Sequence, residues 1–301
     1  MIVDPVVGGP ATPASGGSAA RDGVLAAASG MALVGGSVAV SGVVAPDVMF
    51  VSGAIRYAAA CLLLMAYARL TGRPLVRPRG AEWLWLTGIA ACGLLLFNIA
   101  LVEGSRHAEP AVLGVAVASV PPVLSVVGPL MQGARARRSV VLAAIVVTCG
   151  AALVDGLGRS DAAGIGYALI VFGCEVAFTL LAVPVLGRLG PVGVSVHTAW
   201  IGSLLFAAFW LTQEGPSAIT RVTGEQWAAV AYLTVGVTAI AFVLWFTGVG
   251  RLGPARAGLL AGVTPVAAAI TGMLLGTAVP GPAVWAGMAV VAAGLALGLR
   301  R

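Results

Sequence analysis

Glu175 and Arg56 are charged side chains set inside long apolar runs of a 301-residue chain. A charge at the centre of a membrane-spanning helix costs roughly 2.5–3.5 kcal/mol on insertion scales, so each needs a reason to be there. Glu175 lies about twelve residues into the run from Gly164 to Leu186. That places it near the middle of a span, facing a polar cavity as a substrate or proton site, or making a hydrogen bond between helices. Arg56 is nearer one end of its run, where its long stem can snorkel or its guanidinium can meet a helix C-terminal carbonyl. Asn98 offers a donor and an acceptor, either to a zwitterionic ligand or to a neighbouring helix. His197 sits a few residues into another run, where a satisfied interfacial ring is the first reading and a proton relay the second. Aromatic residues are scarce, so Phe97, Trp200, Tyr232 and Trp245 stand out as cavity walls. Trp83, Trp85, Trp210 and Trp227 fall at run ends, as an interfacial belt does.

Several chemistries are excluded. The chain has no Lys, so all 17 basic residues are Arg. A Walker A phosphate loop and a retinal or pyridoxal Schiff base both need a lysine amine. The four cysteines, Cys61, Cys92, Cys149 and Cys174, are isolated and lack metal-ligand spacing, and they read as packing residues. No cofactor, metal or catalytic residue is expected. Ser37, Ser41, Ser119 and Ser125 lie in apolar runs, but His107 and His197 are the only histidines and there is no GxSxG elbow. An intramembrane hydrolase is therefore disfavoured. The net charge of +6 comes from arginines that punctuate apolar runs, not from a basic face with interleaved aromatics, so nucleic acid is not an expected partner.

Those side chains must be positioned by helices in a bilayer. Only 9% of residues are charged, 59% are hydrophobic, and the mean hydropathy is +1.03. A window of about 19 residues finds ten candidate spans. They are Val24–Val44, Met49–Leu70, Ala81–Val102, Pro110–Met131, Ser139–Gly156, Gly164–Leu186, Gly193–Thr212, Gln226–Gly248, Ala255–Gly276 and Ala283–Leu299. The runs are continuously apolar where a barrel strand would alternate, so the fold class is all-α. Residues 1–23, rich in Gly, Pro, Ser and Ala, read as a disordered cytoplasmic tail rather than a signal peptide. With the N-terminus inside, Arg21, Arg69, Arg73, Arg77, Arg79, Arg135, Arg137, Arg138, Arg188, Arg251, Arg256, Arg300 and Arg301 face the cytoplasm. Only Arg106, Arg159 and Arg221 face out. This thirteen-to-three split predicts both termini inside a plasma membrane. The longest loop, carrying Glu214, Arg221 and Glu225, reads as an external surface loop.

The segment RHAEPAVLGVAVASVPPV from Arg106 shares a plan with RLGPARAGLLAGVTPV from Arg251: an Arg, a turn-opening Pro, small residues, then Pro-Val. A repeat of five spans, an odd number, inserts its second copy upside down, giving halves at 24–157 and 163–299. With AYLTVGVTAIAFVLWFTGVGRLGPARAGLLAGVTPVAAAITGMLLG from Ala231 to Gly276, and with Arg56 and Pro122 in the first half, the chain resembles the drug/metabolite transporter superfamily and its ten-span EamA-type permeases. The Gly-Glu pairs common at the ends of the fourth and ninth spans are replaced by Gln132-Gly133 and Gly276-Thr277. The resemblance implies a secondary transporter, with export as the expected direction, moving small metabolites such as amino acids by alternating access. A lipid or polyprenyl-carrier flippase is the alternative. Proton coupling would fall to Glu175. Pro122 and Pro265 read as hinges in the two halves. The Gly258/Gly262, Gly272/Gly276 and Gly294/Gly298 pairs suit close helix packing within the chain or, as the second option, a homodimer.

Overall fold

A computed structural model describes residues 16–37, 40, 43–44, 46–156, 158–274 and 280–300. Ten helices follow one another: α1 (Gly16–Gly36), α2 (Pro46–Leu70), α3 (Glu82–Gly104), α4 (Pro110–Met131), α5 (Arg138–Asp155), α6 (Ala162–Leu180), α7 (Val183–Glu214), α8 (Gly224–Leu252), α9 (Pro254–Leu274) and α10 (Pro282–Leu299). Among the described residues, nine of them, α2 to α10, are long and apolar enough to cross a membrane. The only non-helical pairing among those residues is an isolated antiparallel bridge between Ala108 and Ser160. Successive helices run back and forth, so one end of the bundle carries the residues around Arg106, Arg159 and Arg221, and the other carries most remaining arginines. They are termed here the Arg-poor and Arg-rich ends.

The expected spans are met closely except at three places. Helix α1 begins at Gly16, within the stretch expected to be a tail, because Ser18 to Asp22 continues helically and Asp22 pairs with Arg251 of α8 at 2.9 Å. The far part of the expected first span, and the Gly276-Thr277 pair with the end of the expected ninth span, lie outside the described residues. The sixth span is interrupted: α6 ends at Leu180, and after Leu181 and Ala182 the helical run resumes at Val183 as the start of α7, while the expected connection between spans six and seven, residues 187–192, does hold a break. That break is at Gly190, whose φ of 67° only glycine adopts without strain, followed by Pro191.

Glycines set the tightest contacts. A Cβ on Gly35 of α1 would lie 2.2 Å from the Thr264 carbonyl oxygen of α9, and one on Gly53 of α2 would lie inside the Phe206 ring of α7. Helices α5 and α10 meet backbone to backbone, since a Cβ on Gly150 would sit 2.7 Å from the Val291 amide and one on Gly287 would sit 2.7 Å from the Gly150 carbonyl. Gly258 meets Leu124, Gly262 meets Val147, and Gly294 and Gly298 meet Val147 and Ala143. These glycines are thus spent on packing inside the chain.

Three stretches among the described residues are π-wound, Trp210–Glu214 at the end of α7 and two others that lie mid-span. The mid-span pair are Ile89–Leu96 of α3 and Leu233–Ala241 of α8, with the amides of Phe97 and Phe242 reaching back five residues to the carbonyls of Cys92 and Val237. Helices α4 and α9 break instead at Ser119 and at the 3-10 turn Leu260–Gly262. The expected hinges Pro122 and Pro265 therefore do not kink a continuous helix. Each lies within the first turn of the segment after the break, where a missing N–H costs nothing.

Candidate functional site

Glu175 occupies the inward stripe of α6 with Val171 and Phe178, at helical spacing, and is half-buried. At 1.5 Å per residue it lies about 20 Å along α6. Among the described residues it makes no hydrogen bond or ion pair. One turn further, the buried Thr179 hydroxyl accepts a hydrogen bond from the indole N–H of Trp245 on α8 at 3.3 Å. Phe178 packs 5.1 Å from both Phe242 and Phe246 of α8. The carboxylate therefore stands beside an aromatic wall with its hydrogen-bonding capacity unspent, which suits an ammonium group or a proton.

A second polar group joins α2, α3 and α8. The Nε of Arg56 donates to the Thr238 hydroxyl at 2.7 Å, and its guanidinium lies 5.2 Å from the centre of the Tyr57 ring. This corrects the expectation of snorkelling or of a helix-terminal carbonyl: the π-wound part of α8 turns Thr238 inward and supplies the acceptor. The Asn98 amide donates to the Leu94 carbonyl at 2.6 Å and, at 3.4 Å, to the Tyr57 hydroxyl. Tyr57, 2% exposed, passed unnoticed in the sequence because an isolated Tyr in an apolar run has no spacing signal.

His197 belongs elsewhere, toward the Arg-rich end. The Trp200 indole, which can only donate, gives its N–H to His197 Nδ1 at 3.1 Å, so Nδ1 is the acceptor and Nε2 carries the proton that reaches the Val76 carbonyl at 3.0 Å. Both ring nitrogens of a neutral imidazole are occupied. Trp83 packs edge-on against His197 and Trp200, at 6.1 and 5.9 Å. Like it, Trp85, Trp210 and Trp227 are partly exposed at span ends and pack on buried clusters with their inner edges. Tyr232 is 42% exposed and stands apart from the other candidates, at the start of the π-wound stretch of α8. Phe97 packs with α4 and α6.

The two bundle ends are strapped by ionic contacts. At the Arg-rich end Glu82 of α3 pairs with Arg188 of α7, which also donates to the Arg77 carbonyl. At the Arg-poor end Glu214 is not the solvated loop residue the sequence suggested. Its two carboxylate oxygens accept the backbone amides of Phe50 at 2.6 Å and Val51 at 2.9 Å, closing the N-terminus of α2 with a charge that the helix dipole favours. Glu214→Ala is expected to destabilise the fold by about 2–4 kcal/mol, two charge-assisted hydrogen bonds, and Glu214→Gln by about half as much. Melting temperatures in detergent check this; equal loss in both variants would mean that packing, not charge, holds the joint.

The same end carries a shallow cavity of about 600 Å³ lined by His107, Glu109, Arg159 and Asp161, where the α3–α4 and α5–α6 connections pair. Asp161 caps α6 by accepting the Gly164 amide at 2.8 Å and meets His107 Nδ1 at 2.9 Å. Glu109 pairs with Arg159 at 3.1 Å. The capping amide first, and then the imidazole, hold the Asp161 carboxyl below its usual range. A carboxyl whose value is lower folded than unfolded stabilises the fold fully above the ordinary carboxylate range, and that contribution is lost as pH falls through the folded value. Asp161→Asn is therefore expected to flatten the decline of melting temperature below about pH 4. Melts across the acid range would show parallel curves if the contact were idle.

Among the described residues no three His, Cys, Asp or Glu side chains gather as a metal site requires. The arrangement can bind and position a small polar ligand inside a helical bundle.

Comparison with known proteins agrees with this geometry. Residues 162–300 match the EamA-like transporter family. The chain is 25% identical over 260 residues to the uncharacterized transporter YetK of Bacillus subtilis strain 168, covering 82% of this chain and 78% of the relative. It is 24% identical over 228 residues to the aromatic amino acid exporter YddG of Ancylobacter novellus, covering 71% and 74%. A solved crystal structure superposes with a TM-score of 0.77 at 22% identity, over 93% of this chain and 96% of that one, which supports the fold alone.

Proposed function

From the premise that this chain is a membrane transporter of the drug/metabolite transporter superfamily, with an EamA-like second half, we propose that it exports small metabolites such as amino acids by alternating access. Helix α1 serves as a tenth span beside the nine, and the bundle consists of two inverted five-helix halves. The thirteen-to-three arginine split supports a plasma membrane location with the Arg-rich end and both termini in the cytoplasm.

The observation that carries the reading is the half-buried Glu175, without a partner among the described residues, facing inward next to Phe178, Phe242 and Phe246. A membrane-buried carboxylate without a partner is a strong marker of a substrate or proton pathway. The aromatic wall offers an apolar surface for the body of the ligand, and the terminal nitrogens of Arg56, whose Nε alone is engaged by Thr238, offer donors for an anionic group, while Asn98 can serve once its bonds to Leu94 and Tyr57 open. The site thereby suits a molecule with separated positive and negative ends. In this reading transport is coupled to a proton gradient with Glu175 as the carrier, and uncoupled facilitated diffusion is the alternative.

The test is uptake of a radiolabelled panel of amino acids and related metabolites into proteoliposomes, with and without an imposed proton gradient. Saturable flux of unmodified substrate is expected. If no panel member moves while the protein stays folded, a lipid substrate replaces the metabolite.

A further inference from the structure

The π-wound stretches of α3 and α8 occupy matching places in the two halves proposed above, the third span and the eighth. Each lies mid-span and is flanked on both sides by ordinary α-helix. A π turn inserts about one residue into an α-helix, leaving the flanks in place while widening one turn and loosening its carbonyls. Removing it or moving it along the helix rotates the intervening side chains by about 100° at 3.6 residues per turn. Such turns are rare, and frequent at functional sites; a third, Trp210–Glu214, ends α7, whereas these two lie mid-span in corresponding spans and call for a cause.

Neighbouring residues of α2 touch both. Arg56 donates to Thr238 within the stretch of α8, and Tyr57 receives Asn98, whose amide also holds the Leu94 carbonyl within the stretch of α3. The guanidinium lies over the Tyr57 ring, so the two ties are themselves in contact. The aromatic wall follows directly from one of them: Phe242 and Trp245 sit in the first turn after the π stretch of α8.

We propose that the π-wound stretches of α3 and α8 are paired flex points of the transport cycle, tied through Arg56 and Tyr57 so that they rewind together. This inference rests on the transporter reading. Rewinding α8 rotates Thr238 away from Arg56, and rewinding α3 rotates the Leu94 carbonyl away from Asn98; the shared guanidinium and phenol make one event favour the other. Tyr57 is thus a positioning residue for the site, acting through Asn98 and Arg56.

The experiment removes one residue from each wide turn, deleting Ala91 or Gly236. A side chain at Gly236 would meet little, so no packing depends on that position. Spin labels at Ser105→Cys and Glu225→Cys, both exposed at the Arg-poor end, report the separation of α3 and α8 in reconstituted full-length protein whose four native cysteines are replaced. Two distance populations are expected in the parent and one in each deletion, with panel flux reduced at least tenfold. A single population in the parent, both populations persisting in a folded deletion, or parental flux in a deletion would overturn the proposal. Should the deletions fail to fold, Thr238→Val keeps the volume and removes the acceptor for Arg56. It is expected to shift the population ratio at least tenfold, and an unchanged ratio overturns the coupling. If the parent moves no panel member yet its two populations collapse on deletion, the flex points stand and the substrate reading alone fails.

Discussion

Replacing Glu175 with Gln is expected to cut gradient-driven flux by at least about tenfold while the protein keeps its fold. The change preserves size and loses only the charge and the titrating proton. A hydrogen bond between charged groups contributes about 1.5–3 kcal/mol, which corresponds to roughly 10–150-fold in occupancy of the site. Because the carboxylate has no partner among the described residues, no bond to them breaks on mutation, and the melting temperature should hold or rise. Flux assays with and without a proton gradient separate two roles. Loss of gradient stimulation with residual downhill exchange assigns Glu175 to coupling, and loss of both assigns it to binding. Full gradient-driven flux in the mutant would remove Glu175 from the mechanism.

The second large effect concerns stability. Gly287→Val is expected to lower the melting temperature by about 5–10 °C, in keeping with the 1–3 kcal/mol or more that overpacking costs. The new side chain would meet the Gly150 carbonyl and the Val154 amide, both backbone atoms that no rotamer change can move aside. Gly281→Val, where a Cβ meets nothing, serves as the control. Tryptophan fluorescence melts in detergent measure both. An equal fall in the control would show that the loss at Gly287 does not come from its contact with α5.

The all-helical fold and its nine membrane-length runs were legible because a bilayer imposes a length and an apolar composition that one sequence displays openly. The errors fell where another rule prevailed. The short interruption at Leu181 and Ala182 carries no breaker, whereas the break between spans six and seven was announced by Gly187, Gly190 and Pro191 and comes at Gly190. Glu214 reads as loop surface because its partners are backbone amides 163 and 164 residues away in sequence, which no side-chain pattern announces. The candidate site divides similarly. Glu175, Asn98 and Arg56 stood out as polar groups in apolar surroundings, whereas Tyr57, Thr179 and Thr238 did not, since hydroxyls are cheap in a helix that can satisfy them locally. Rotation about each helix axis decides which of these meet, and the π-wound turns reset that rotation partway along α3 and α8.

The α5–α10 contact also bears on how the chain is made. Helix α5 presents Gly150 to a partner synthesised more than a hundred residues later, after four further spans have emerged. Until α10 leaves the ribosome, the glycine groove of α5 stays open to lipid or to whatever insertion factor attends the nascent chain. A chain arrested before residue 282 would display that uncovered groove, a mark by which membrane quality control can tell an unfinished transporter from a complete one.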